Sequence, residues 1–252
     1  GSFDLNKAEE LITDRTKIVA VTQLSNVLGR EYPIEKLAEI AHRKNAVMVA
    51  DGAQSTPHIA VDVKKLGVDF FAFSGHKLYG PMGIGVLYGR RELLEKIESV
   101  SRTSAVDAEL PHKFEAGTVN VAGAVGLKSA IDYVKSVGFE EIHKRELEVS
   151  AYAFEKMKEI AHINILGSEK AEEHNGILTF TVDNVHPHDV SEILAADGIA
   201  VRAGHHCAQP LLEYLGYRST VRASFAFYNT KEDADRFLDS LSTVRERMGY
   251  GK

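Results

Sequence analysis

The sequence predicts an α/β fold: a large domain built on a mainly parallel sheet, then a smaller C-terminal α+β domain. Three observations carry this expectation. Short apolar runs alternate with helix-periodic segments through the first half, as in β-α-β units. Polar clusters close three successive strand candidates, where open α/β sheets place their ligands. The second half changes pattern, to one long amphipathic helix followed by spaced apolar strands and two further helices.

Taken in order, residues 17–22 (Lys-Ile-Val-Ala-Val-Thr) read as a buried strand. Pro33 opens a helix at its first turn, where a missing N–H costs nothing, and Ile34, Leu37, Ile40 and Ala41 follow at helical spacing. Strands are expected at 47–50, 69–73 and 83–89, and a helix over 90–97. A helix beginning around Ala122 carries the domain boundary, placed near Val134, so that 1–133 form the large domain and 134–252 the small one. The small domain should hold a long helix over 139–160, strands at 163–166, 176–182 and 221–225, and helices at 188–196 and 231–245. Thr230 reads as the cap of the last helix. His58, His186 and His188 read as loop histidines without an evident partner.

Composition narrows the function. The chain has 252 residues, 44% of them apolar, enough to bury a core. Its 30 basic and 36 acidic residues give a formal charge of −6, which offers no electrostatic reason to bind nucleic acid. No apolar stretch is long enough to span a bilayer and no signal peptide is read. The single cysteine, Cys207, has no internal disulfide partner, which fits a reducing, cytoplasmic setting.

The three polar clusters are Ser25-Asn26, Asp51-Gly52-Ala53-Gln54 and Ser74-Gly75-His76-Lys77. On a parallel sheet their strand ends converge on one crevice. A lysine amine becomes nucleophilic where its pocket favours the neutral form. An aspartate at a strand end pairs with a protonated ring nitrogen, and the Ser74 hydroxyl and His76 ring suit a phosphate. Each alone has a bland counterpart, since an Asp-Gly is usually a turn and a surface lysine usually a solvated charge. Together, at successive strand ends, they make a constellation.

Three runs carry a resemblance: Val49-Ala50-Asp51-Gly52-Ala53-Gln54-Ser55, Phe73-Ser74-Gly75-His76-Lys77-Leu78-Tyr79-Gly80-Pro81 and Arg202-Ala203-Gly204-His205-His206-Cys207-Ala208. In content, order and separation they resemble the class II, SufS/NifS-like cysteine desulfurases of the fold type I pyridoxal-phosphate enzymes, over essentially the whole chain. The resemblance implies a PLP-transferase (aspartate aminotransferase-like) large domain. It implies that Lys77 forms a Schiff base with the cofactor and shuttles the substrate Cα proton. Asp51 would pair with the pyridine nitrogen, Gln54 with the phenolic oxygen, and Ser74 and His76 with the phosphate. Asn26, Arg222 and Arg202 would serve the substrate, with Arg222 clamping its carboxylate through a planar fork. Thr118 would reach the phosphate of the neighbouring subunit of a homodimer.

By the same resemblance Cys207 accepts the substrate sulfur as a persulfide, L-cysteine becomes L-alanine, and the sulfur goes to a SufE- or SufU-like acceptor for iron–sulfur cluster assembly. Arg202, five residues before Cys207, marks the short class II approach. The bland counterpart of His205-His206-Cys207 is a polar loop with a buried thiol. A metal site is disfavoured, because three adjacent ligands do not easily face one ion and no second cluster has zinc spacing. Members of the group also carry a substantial N-terminal part before the position of Phe3, a longer glycine-containing segment where 98–109 is short and polar, and commonly proline where Val119 stands. The rival expectations are another fold type I lyase or aminotransferase, selenocysteine lyase included, and a fragment without activity that serves only in assembly.

Overall fold

The computed structural model describes residues 2–98, 109–115 and 117–251. Most of the short polar 98–109 segment therefore lies outside the described residues. The chain divides into two compact units, one of Phe3–Gln23 with Tyr32–Val137, the other built mainly of Leu24–Glu31 and the residues from Gly138 onward.

The first unit contains α1 (Leu5–Leu11), β1 (Ile18–Thr22), α2 (Ile34–Arg43), β2 (Val47–Asp51), α3 (Val63–Leu66), β3 (Phe70–Ser74), β4 (Gly85–Gly89), α4 (Arg91–Leu94) and α5 (Val121–Val137). Its sheet runs β1-β2-β3-β4, with the first three strands parallel and β4 antiparallel to β3. The sheet is thus mixed but mostly parallel, as expected for the α/β class. Val19, Met48, Ala50 and Phe71 point to one face and pack with Ile34, Leu37, Ala38 and Ala41 of α2. That alternation is the period-two pattern meeting the helical stripe. The strands are apolar on both faces, yet Ile18 and Leu87 stay 63% and 58% exposed. The helix expected over 90–97 shrinks to α4, which buries none of its residues and so has no packing to lengthen it.

Asp69 ties this unit together. Its carboxylate is almost fully buried, lies 2.8 Å from His42 Nε2 and 3.2 Å from an Arg90 Nη, and accepts the Met48 N–H at 2.7 Å. One side chain therefore links α2, the start of β2 and the residue that follows β4. Asp69→Ala should cost about 2–3 kcal/mol, because it strands a buried N–H and takes the partner from both the Arg90 guanidinium and the His42 ring. Urea unfolding checks this; an unshifted midpoint would refute it.

The second unit contains α6 (Phe139–Glu159), β5 (Ile163–Ile165), β6 (Ile177–Val182), α7 (Pro187–Ala196), β7 (Arg202–Gly204), α8 (Gln209–Tyr214), β8 (Thr220–Ser224) and α9 (Lys231–Arg247). Its sheet is antiparallel throughout, in the order β5-β6-β8-β7. Phe154 and Met157 of α6, Leu178 and Phe180 of β6, Leu194 of α7 and Phe237 and Leu241 of α9 form its core. Thr230 caps α9 in a full capping box with Asp233. The segment Leu24–Glu31 belongs here because Thr179 Oγ1 donates to the Val27 carbonyl, and Asn175 Nδ2 to the Gly29 carbonyl. Gly29 is required at its position. Its φ is +64°, and a Cβ there would lie 1.7 Å from the His174 carbonyl oxygen.

Candidate active site

In the first unit the predicted residues gather at the carboxyl ends of parallel strands. Asp51 ends β2 and Ser74 ends β3, on strands paired through Asp51 and Ala72. Asp51 Oδ1 accepts the Ala53 N–H at 2.8 Å, which orients the exposed carboxylate. After Ser74 the chain tightens into a 3₁₀ turn over Gly75–Leu78, which carries His76 and Lys77 to the surface. Gly75 permits that turn: a Cβ would come within 2.9 Å of the Ile84 side chain. Ser74 Oγ is buried and, among the described residues, has no hydrogen-bond partner. A buried hydroxyl left unpaired costs free energy unless something satisfies it. An oxyanion such as a phosphate fits this position, at the head of the turn that carries His76 and Lys77. Gln54 stands near His58, with Nε2 atoms 3.2 Å apart, so His58 does have a partner. Thr118 is exposed, next to Gly117 at φ +71°, in the loop before α5.

In the second unit the structure brings together Asn26, Arg202, His206, Cys207 and Arg222. Arg202 and Arg222 are direct cross-strand partners on β7 and β8. Like charges so placed repel. Burial and the opposing Arg202 hold the Arg222 guanidinium below its ordinary pKa, with the Cys207 sulfur opposing that shift. Arginine nevertheless keeps its charge. Arg222 Nη1 donates to the Asn26 carbonyl at 2.8 Å, while its Nε is buried without a partner among the described residues. Two neighbouring guanidiniums, one with an unused buried donor, suit a carboxylate.

Cys207 is exposed, and Arg202 Nη2 donates to its Sγ at 3.1 Å. A charged donor is thus placed directly on the sulfur. The turn carrying it is unusual. His206 and Cys207 have φ of +55° and +60°, in the left-handed region that costs an L residue about 1–2 kcal/mol each. His206 is buried, its Nε2 lies 2.8 Å from Thr220 Oγ1, and its carbonyl accepts Asn26 Nδ2 at 2.5 Å. Burial, with Arg222 and Arg202 nearby, depresses its pKa to about 4, so the ring is neutral at pH 7.

The sequence marked His206 only as one of a run and did not mark Thr220. No periodicity or spacing announces a turn anchor fourteen residues away. His186 and His188 are also placed differently from expectation. His186 Nδ1 accepts the His188 N–H as the cap of α7, and His188 lies within that helix. Among the described residues no group of three His, Cys, Asp or Glu side chains is arranged to hold a metal ion. Nor is any helix among them long and apolar enough to cross a membrane.

Comparison with known proteins gives a consistent result. The aminotransferase class-V family model matches residues 1–237. A probable cysteine desulfurase of Halalkalibacterium halodurans is 48% identical over 99% of this chain, and one of Staphylococcus aureus is 46% identical over 99%. The chain spans 63% of the length of each of those relatives. An apo cysteine desulfurase from Thermococcus onnurineus superimposes with a TM-score of 0.92 at 40% identity, covering 98% of this chain and 64% of that one. The Escherichia coli cysteine desulfurase CsdA, in an S-sulfonic acid form, gives 0.88 at 38% identity, covering 97% and 63%.

Proposed function

We propose, from the premise that this chain belongs to the aminotransferase class-V family, that it carries the core groups of a pyridoxal-phosphate-dependent cysteine desulfurase. The reaction is conversion of L-cysteine to L-alanine, with the sulfur taken up by Cys207. The observation that carries the proposal is the Arg202 guanidinium donating to Cys207 Sγ at 3.1 Å on a turn of two left-handed residues. A bland polar loop needs no cation paired with its thiol.

Lys77 would hold the cofactor through Nζ and move the proton at the substrate Cα. Asp51 would hold the ring N–H, Gln54 the phenolic oxygen, and Ser74 and His76 the phosphate. When bound, pyridoxal phosphate supplies the electron sink that labilises the substrate C–S bond. Arg222, with Asn26 and Arg202, would orient the substrate carboxylate. Cys207 Sγ, as thiolate, attacks the substrate sulfur. An S–S bond forms, the C–S bond breaks, its electron pair stays with the substrate carbon, and that carbon takes up a proton to give alanine. The persulfide on Cys207 then passes to a SufE- or SufU-like acceptor for iron–sulfur cluster assembly in the cytoplasm. The working form is a homodimer, with Thr118 serving the phosphate of the neighbouring subunit.

Adding pyridoxal phosphate to the chain should produce a bound visible absorption band that Lys77→Ala abolishes. Incubation with L-cysteine should yield alanine. A folded chain that stays colourless would overturn the cofactor assignment, and a band without alanine would overturn the substrate.

A further inference from the structure

We infer that His206 is the positioning residue of the sulfur acceptor: anchored on Thr220, it holds the left-handed turn that keeps Cys207 Sγ on Arg202. The turn runs from His205 to Ala208 and is closed by the Ala208 N–H donating to the His205 carbonyl at 2.9 Å. Its two central residues have φ of +55° and +60°. That pattern belongs to type I′ turns, which favour Gly, Asn and Asp. Neither His nor Cys is among those residues, so tertiary contacts help to hold it.

Those contacts converge on His206. The residue is 1% exposed, and its ring meets Thr220 Oγ1 through Nε2 at 2.8 Å. Its carbonyl accepts Asn26 Nδ2, and the Asn26 carbonyl is itself held by Arg222. Thr220 is the first residue of β8, paired with Gly204 of β7, while Arg202 on β7 is paired with Arg222 of β8. Both partners of the Arg202–Cys207 contact are therefore referred to β8: Arg202 by strand pairing, Cys207 by the His206 ring. The depressed pKa keeps the ring uncharged between two guanidiniums, which suits a hydrogen-bonding anchor. Only the catalytic meaning of this placement rests on the sulfur transfer proposed above.

Cys207 is the single cysteine, so alkylation by iodoacetamide reports on it alone, with no cofactor or cysteine present. At pH 7, His206→Ala and Thr220→Val should alkylate about three- to tenfold more slowly than the unaltered chain, as the sulfur loses its charged donor. His206→Gln reaches the position of Nε2 and should restore the rate, as should Thr220→Ser. His206→Asn suits the left-handed backbone but is too short to reach Thr220, and should be slow. In an Arg202→Ala background His206→Ala should add no further slowing. Restoration by Asn but not Gln would reduce His206 to a backbone role and overturn the inference. So would an unchanged rate, or equal slowing with and without Arg202. If His206→Ala does not fold, the Thr220 pair decides by itself. Failure to desulfurate with the alkylation series intact removes the reaction and leaves the placement standing. Turnover with a flat series removes the placement alone.

Discussion

Cys207→Ala is expected to abolish sulfur transfer, by at least about a thousandfold, while leaving the cofactor absorption band in place. The size follows from the nucleophile having no substitute, since removal of an attacking group in a coupled site costs far more than removal of a binding contact. No other cysteine exists in the sequence to take over the attack. The groups proposed to hold the cofactor, Lys77, Asp51 and Ser74, lie in the other compact unit, on strands and a turn that Cys207 does not build. Cofactor uptake should therefore survive. Two readings separate cleanly here. Persulfide detected by mass spectrometry after cysteine addition must vanish in the variant if Cys207 is the acceptor. An aminotransferase would keep most of its transamination. Undiminished sulfide release in Cys207→Ala would defeat the desulfurase assignment.

The part of this site that sequence alone revealed is the part written in local chemistry. Asp51, Ser74 and Lys77 follow apolar runs directly, and the strand period places them at the carboxyl ends of parallel strands. The helical stripe Ile34, Leu37, Ile40 and Ala41 and the β2 run Val47–Asp51 were legible for the same reason. What escaped was non-local or short. The strand β7 has three residues, too few to show a period, and exists because β8 pairs with it. The antiparallel direction of β4 is set by the turn after Lys77, where the Gly75 N–H donates to the Ile84 carbonyl. Membership of Leu24–Glu31 in the second unit rests on Thr179 and Asn175, some 150 residues away in the chain. The left-handed pair at His206 and Cys207 lacks the Gly, Asn or Asp that announces such a turn in a sequence. Such departures from local preference concentrate where function demands them.

Arg222→Ala should weaken L-cysteine binding about 30- to 150-fold, seen as a rise in KM, with little change in cofactor affinity. That range corresponds to about 2–3 kcal/mol for losing charged hydrogen bonds to a carboxylate. The prediction turns on what Arg222 does without substrate. One of its nitrogens already serves the Asn26 carbonyl, while Nε stays buried and unpaired among the described residues. Burial and Arg202 both disfavour its charge. An incoming carboxylate would relieve the repulsion between the two guanidiniums and satisfy the unused donor. Lysine is a poor replacement, because a point charge on a flexible stem supplies neither the fork nor the bond to Asn26. Arg222→Lys should therefore recover only part of the loss. Titration of each variant with pyridoxal phosphate, alongside steady-state kinetics, separates binding from architecture. If cofactor affinity falls as far as cysteine affinity, Arg222 is a structural strut that holds Asn26 and the Cys207 turn, and the carboxylate belongs elsewhere.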